Sequence, residues 1–355
     1  MSALDGLRGF AALLVVTSHA SLLGLHLLGG LSLAGVGKPG VFLFFVLSAW
    51  LLTRQWLRDF QRGWSVRWAG IVAAYGIKRV LRIYPMYAIV LFAGWALGGK
   101  GLGVPLDMRA LLAHLAMLQG KGIYWSVPVE FTYYLLLPLV AWVLTVMRRP
   151  LWQTTGMMAA VGACLVLFPP SQASLESADL RDYLVVFLCG AWAAAMSMGL
   201  RTMPSASALT VGIADIALIV ALVATVPSVL QLRWPDLGEA ALHRAFLAWG
   251  VSWAAVLLAL QRGLLPAWRR ALSSGAMRAC GRWSFSLYLL HMPVLYAFRH
   301  LPGPAPVRGW IALVCALAVA ALAHRLIERP CIALGHRWSQ GLRSGASLRD
   351  VDAPA

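Results

Sequence analysis

Leu4-Asp5-Gly6-Leu7-Arg8-Gly9-Phe10-Ala11-Ala12-Leu13-Leu14-Val15-Val16-Thr17-Ser18-His19 opens with a charged pair, runs apolar, and then places an imidazole. Read as a helix, Arg8 and His19 are separated by about three turns, so they share one face ~16 Å apart along the axis. Asp5, one turn before Arg8, stands where it can hold the guanidinium. Two other readings compete. Ser18-His19-Ala20 resembles a signal-peptide cleavage site after a short apolar core, and a plain membrane anchor with a satisfied histidine also fits. An ionisable residue within a membrane span is otherwise a functional residue by default.

The rest of the chain decides among these. Its 355 residues are 60% hydrophobic and 12% charged, with a mean hydropathy of +0.75, which excludes a soluble domain. Apolar runs long enough to span ~30 Å of hydrocarbon recur from one end to the other. Cleavage after Ala20 would remove one member of a packed bundle, so the first stretch reads as a span. Spans are expected near 6–28, 39–55, 79–98, 127–147, 154–170, 182–200, 208–230, 243–261, 283–300 and 308–327. The fold class is therefore an all-α integral membrane protein, a bundle of about ten transmembrane helices. Residues 1–335 form the transmembrane domain and 336–355 a cytoplasmic tail expected to be disordered.

Charge sets the orientation. The formal net charge of +17 does not point to nucleic acid, because the basic residues sit at span ends. With the N-terminus inside, twenty-one of the thirty Lys and Arg residues fall on the cytoplasmic side, so both termini are expected there. This parity holds only if Arg109–Gln119, apolar but too short to cross, returns to its own side as a re-entrant half-helix buried against protein. The five cysteines carry no CxxC or Cys/His cluster and read as free thiols; no metal site is expected.

The candidate site residues follow from charge within apolar runs. Arg54, Arg58, Arg62 and Arg67 read best as anchors to anionic lipid headgroups. Arg79 and Arg82 share one face of a helix start, and two adjacent guanidiniums suit a phosphate. Ile83-Tyr84-Pro85 then predicts a kink or break. Glu130, in Trp125-Ser126-Val127-Pro128-Val129-Glu130-Phe131-Thr132-Tyr133-Tyr134, must be protonated, paired or facing water. Counting depth at 1.5 Å per residue sets His19 roughly 10 Å and Glu130 about 5–8 Å below the outer face. The two then form a plausible general-base pair, the carboxylate orienting the ring. His291, one turn after Tyr288, stands equally as a satisfied core residue or a substrate contact. Glu328 reads as part of a structural charge cluster, Asp215 as packing, and Glu176, Asp179, Asp182, Asp236 and Glu239 as solvated loop charge.

Together these residues resemble the acyltransferase family 3 membrane proteins. Leu4-Asp5-Gly6-Leu7-Arg8-Gly9 followed by His19 is similar to that family's opening. Phe44-Phe45-Val46-Leu47-Ser48 is similar to its second span, with Ala49 where a glycine usually follows. Arg79-Val80-Leu81-Arg82-Ile83-Tyr84-Pro85 matches its Arg-x-x-Arg segment. Trp125-Ser126 through Glu130 to Tyr134, Tyr288-Leu289-Leu290-His291 and Glu328-Arg329-Pro330 match the later ones. Some members append an esterase-like extracytoplasmic domain; this chain stops after the core.

The resemblance implies transfer of an acyl group, usually acetyl from cytosolic acetyl-CoA, to a hydroxyl of a sugar, cell-surface glycan or lipid-linked precursor. His19 and Glu130 would be catalytic. Arg8, Arg79 and Arg82 would bind the CoA phosphates, and Ser48, Trp125, Ser126, Tyr134, Tyr288 and His291 would contact substrate. Asp5 and Glu328 would be structural. Membrane lipids, acyl-CoA and the acceptor are the expected partners, and the inner or plasma membrane the expected location. An acyl-histidine intermediate is the competing chemical route. A multi-span transporter or flippase is the alternative function, though no inverted repeat is evident in the hydropathy.

Overall fold

The computed structural model describes residues 2–61, 68–98, 106–170, 176–199, 208–234 and 243–348; Arg62, Arg67, Asp236 and Glu239 lie outside them. The described chain is helical, with no β-strand. Helix α1 (Ser2–Leu22) is followed by α2 (Gly37–Gln61), α3 (Trp68–Ala96) and the short α4 (Met108–Leu115). A 3-10 turn at Gly122–Trp125 leads into α5 (Ser126–Val146), then α6 (Pro150–Leu167) and α7 (Leu180–Gly199). Next come α8 (Ala208–Ala224), α9 (Pro227–Arg233), α10 (Phe246–Arg262), α11 (Pro266–Leu272) and α12 (Gly275–Arg299). Finally α13 (Ala305–Ala323) passes through a π-helical turn at His324–Glu328 into α14 (Arg329–Leu348). Proline opens α6, α9, α11 and α13, where its missing N–H would have had no helical partner anyway.

Five helical segments are long and apolar enough to cross a membrane: Gly37–Gln61, Gly122–Val146, Pro150–Leu167, Leu180–Met198 and Ala305–Leu342. The pair α10 and α11, bent by 93°, would make a sixth. The chain is a multi-span helical membrane protein. The expectation of about ten crossings also counts α8, which is 17 residues long, together with α1, α3 and α12. The last three are 21, 29 and 25 residues long, but Arg8 and His19, Arg79 and Arg82, and Arg282 and His291 lower their apolarity.

Helix α1 lies at the centre, packed against α12 and α2. Small residues allow the approach. A Cβ added to Gly281 of α12 would lie 1.8 Å from the Asp5 carbonyl oxygen, and one on Gly6 would lie 1.8 Å from the Leu272 carbonyl oxygen. Such backbone-to-backbone contact is how helices associate in lipid, where no hydrophobic force drives them together. On the other side of α2, Ala49 is fully buried beside Gly190 of α7. An aromatic cluster fills the space among α2, α5, α7 and α10. Phe187 stacks on Phe45 at 4.5 Å and on Tyr133 at 4.1 Å, and Tyr183 sits 4.7 Å from Trp125.

Helix α4 is eight residues long and capped by Asp107, which accepts from the Ala110 N–H at 2.6 Å. His114 then pins the reversal, its Nδ1 2.7 Å from the Ala110 carbonyl and its Nε2 accepting from the Lys121 N–H at 3.0 Å.

Two expectations change here. Helix α3 runs unbroken through Pro85, so Tyr84-Pro85 does not end it. The tail expected to be disordered from 336 is helical as far as Leu348, packed along α3, where Gly70 faces the Leu342 carbonyl. Residues 349–355 lie outside the described set.

Candidate active site

Three cavities lie in series along α1. The inner one, of about 570 Å³, surrounds its N-terminal half and is lined by Arg8, Arg54, Arg58, Arg79, Arg82 and Arg269, with Ser48 and Tyr134. Arg8 and Arg79 each keep a buried Nε without a hydrogen-bond partner. A buried, unsatisfied guanidinium N–H calls for an acceptor, so this cavity fits a polyanion.

Arg8 also lines a waist of about 40 Å³ with Phe44, Phe45, Ser126, Glu130, Phe285 and Tyr288. Val41 and Tyr288 are shared in turn with an outer cavity of about 410 Å³. That cavity holds His19, Lys38, Trp125, Glu176 and His243. The three cavities thus follow α1 from Arg8 to His19.

The residues expected from sequence divide between the two ends. At the waist, Glu130 accepts from the Tyr134 hydroxyl at 2.5 Å and from the Ser48 hydroxyl, and Tyr134 lies 5.7 Å from the Arg79 guanidinium. Ser126 donates to the Tyr288 hydroxyl at 2.8 Å, and that hydroxyl donates to the Ile123 carbonyl. At the outer end, His19 Nδ1 lies 2.8 Å from His291 Nε2, the rings stacked with centroids 5.0 Å apart. Trp125 forms part of the wall beneath Lys38, whose Nζ sits 3.8 Å above the indole.

The expected His19–Glu130 pair is therefore corrected: His19 meets His291, and Glu130 meets two hydroxyls. The depth count failed because it took the start of α5 as the outer surface. Ile123 through Val129 are buried, so α5 begins inside the bundle. Counting from His291 to Tyr288, across to Ser126 and down α5, Glu130 sits roughly 10 Å nearer the inner end than the histidines.

Asp5 does not hold Arg8 either. It is exposed and forms no ion pair with it, since Arg8 turns into the cavity. Glu328 is buried at the π-helical turn, accepting from Ser286 at 2.9 Å and facing His324 Nδ1 at 3.1 Å. Asp215 is buried and accepts from the Ala267 N–H at 3.2 Å, a packing role.

Sequence reasoning missed several lining residues. Arg54 and Arg58, read as lipid anchors, line the inner cavity with Arg79 and Arg82; their i,i+4 spacing on α2 was the available signal. Arg54 stacks 4.5 Å from Trp50 and bonds Gln261 at 3.2 Å. Lys38, in the first turn of α2, and Glu176, taken for solvated loop charge, both line the outer cavity. Arg269 reaches the same cavity from α11, a segment distant in sequence from Arg54 and Arg79, and gave no sequence signal at all. Among the described residues, no group of His, Cys, Asp and Glu could hold a metal ion.

A fully helical membrane bundle with a basic cavity at one end and a histidine at the other is the setting of an intramembrane transferase. The family model for the acyltransferase domain of acyltransferase family 3 matches residues 1–325, and the chain belongs to that family. It is 28% identical over 385 aligned positions to acyltransferase MdmB of Streptomyces mycarofaciens, covering 94% of this chain and 92% of that protein. No solved structure matches it. The chain is an acyl-transferring enzyme.

Proposed function

We propose that this enzyme moves an acyl group, acetyl in the first instance, from cytosolic acyl-CoA to a hydroxyl of a sugar, cell-surface glycan or lipid-linked precursor. The observation that carries this reading is the path itself: six arginines around one cavity, a narrow waist, and His19 in a second cavity at the far end. The phosphates of CoA sit among the arginines and satisfy Arg8 and Arg79. The pantetheine arm, on the order of 15–20 Å when extended, matches the ~16 Å from Arg8 to His19. The waist, about 40 Å³, has no room for the nucleotide or a sugar ring, and the thin arm threads it as the lining side chains give way. Ser48, Glu130 and Tyr134 form the wall that this arm passes.

His19 takes the proton of the acceptor hydroxyl as its oxygen attacks the thioester carbonyl. The new C–O bond forms, the C–S bond breaks, and the sulfur leaves with the bonding pair. The thiolate then takes up the proton that His19 holds. Trp125 and Tyr288 line the acceptor side.

Ten crossings with both termini cytoplasmic, in the inner or plasma membrane, fit the charge distribution. This places Lys121 outside and Arg148 inside. On a Cys-free background, Lys121→Cys should react with an impermeant maleimide only from the outer face and Arg148→Cys only from the inner one. Reaction of Lys121→Cys from the cytoplasmic face alone contradicts the topology.

Arg79→Ala and Arg82→Ala should each weaken acetyl-CoA binding by about 1.5–3 kcal/mol, as for a hydrogen bond to a charged group. Lysine at either position should rescue only in part, because a point charge lacks the planar fork. Calorimetry on purified protein measures both. Unchanged affinity in both alanine variants returns these arginines to lipid anchoring.

A further inference from the structure

We infer that His291 is the positioning residue for His19: it fixes the neutral tautomer that leaves His19 Nε2 as the basic nitrogen. The inference rests on His19 being the general base and goes beyond it, because it assigns the task of a catalytic carboxylate to a second imidazole. The hydrogen bonds carry the deduction. His291 Nδ1 lies 2.8 Å from the Tyr288 carbonyl and 3.1 Å from the Leu287 carbonyl. Carbonyl oxygens only accept, so Nδ1 carries the proton, and in the neutral ring Nε2 presents a lone pair. That lone pair faces His19 Nδ1 at 2.8 Å. His19 Nδ1 must therefore carry its own proton and donate it.

Only Nε2 of His19 then remains unprotonated, and it has no hydrogen-bond partner among the described residues. The ring lines the outer cavity, where an acceptor hydroxyl would meet it. One backbone turn of α12 thus fixes the state of a ring on α1. In the usual triad a carboxylate does this and also balances the charge that forms. Here the partner is neutral and wholly buried, backed by two carbonyl dipoles. When His19 takes the acceptor's proton, its Nδ1–H still points at the His291 lone pair. The arrangement survives the change of charge without any group moving.

Variants at His291 separate positioning from packing. His291→Leu fills the site without an acceptor. His291→Gln sets an amide oxygen where Nε2 stood, and His291→Asn is too short to reach. Turnover is read as CoA thiol released from acetyl-CoA in the presence of a panel of methyl glycosides. His291→Leu and His291→Asn should lose about 10²-fold or more in kcat, the scale of a wrong tautomer. The KM for acetyl-CoA should stay within twofold in each, because the donor's phosphates bind at the other end of α1. His291→Gln should recover to within about tenfold of the wild-type kcat.

Selective ¹⁵N-histidine spectra of His19, assigned by its loss in His19→Ala, should show a protonated Nδ1 in the wild type and a tautomer mixture in His291→Asn. If His291→Leu and His291→Asn both keep kcat within threefold, the inference fails. It fails equally if His291→Gln falls as far as His291→Asn, since a packing role ignores where the oxygen lies. Full turnover in His19→Ala would instead sink the general base itself. An inactive His19→Ala beside an active His291→Leu leaves the proposed function standing and removes only this inference.

Discussion

His19→Ala should lower turnover by about 10²–10⁴, the usual contribution of a general base, while acetyl-CoA binding stays at the wild-type value. The separation of the two ends of α1 is the reason. Arg8, Arg79 and Arg82 line the inner cavity and His19 the outer one, so a change at the histidine leaves the phosphates' partners untouched. His19→Gln should be nearly as inactive, because an amide hydrogen-bonds but takes no proton at neutral pH. Loss of expression and thermal stability with normal turnover per folded molecule would assign His19 to packing. Mass spectrometry after incubation with acetyl-CoA and no acceptor separates the chemical routes: the general base predicts no stable adduct, and an acetyl group on His19 would replace it with a covalent relay.

The second large effect falls on the fold. Gly281→Ala drives a methyl into the Asp5 carbonyl, which a Cβ would approach to 1.8 Å. Neither partner is a flexible side-chain tip, so α1 and α12 must separate. Overpacking of this kind costs about 1–3 kcal/mol even where side chains can shift. The same movement parts His19 from His291, so the variant should lose both thermal stability in detergent and turnover. Gly275 of α12 is the control: a Cβ there meets nothing within 4 Å. Gly275→Ala should be neutral or slightly stabilising, as for alanine in an open helix. If the two variants melt together, the close packing of α1 on α12 is wrong.

Much of this was legible in the residues. Hydropathy identified a helical membrane bundle, and the spacing of Arg8 and His19 already put both on one face of one helix. The run beginning near Arg109 announced a helix too short to cross, and α4 is eight residues long. The partner of His19 was not legible. Sequence gives position along a helix but not where each helix begins relative to the others. Glu130 was misplaced because α5 starts inside the bundle, behind the 3-10 turn at Gly122–Trp125. Arg54 and Arg58 were misread for a related reason. Whether an arginine at a helix end faces lipid or a cavity depends on which neighbours flank it, and α10 and α11, which supply Gln261 and Arg269, lie some two hundred residues further along the chain. The glycines of Leu4-Asp5-Gly6-Leu7-Arg8-Gly9 show no packing partner in the sequence. Gly6 and Gly9 in fact let α11 and α12 approach the backbone of α1.

The central claim is that donor and acceptor reach His19 from opposite ends of one path. Proteoliposomes of known orientation test it most directly. Radiolabelled acetyl-CoA is supplied on the face carrying Arg79 and Arg82, and impermeant methyl glycosides on the face carrying Lys121. The account predicts label on a glycoside held on the Lys121 side, and none when acetyl-CoA is moved to that side. Label appearing only when donor and glycoside share the arginine face would contradict it.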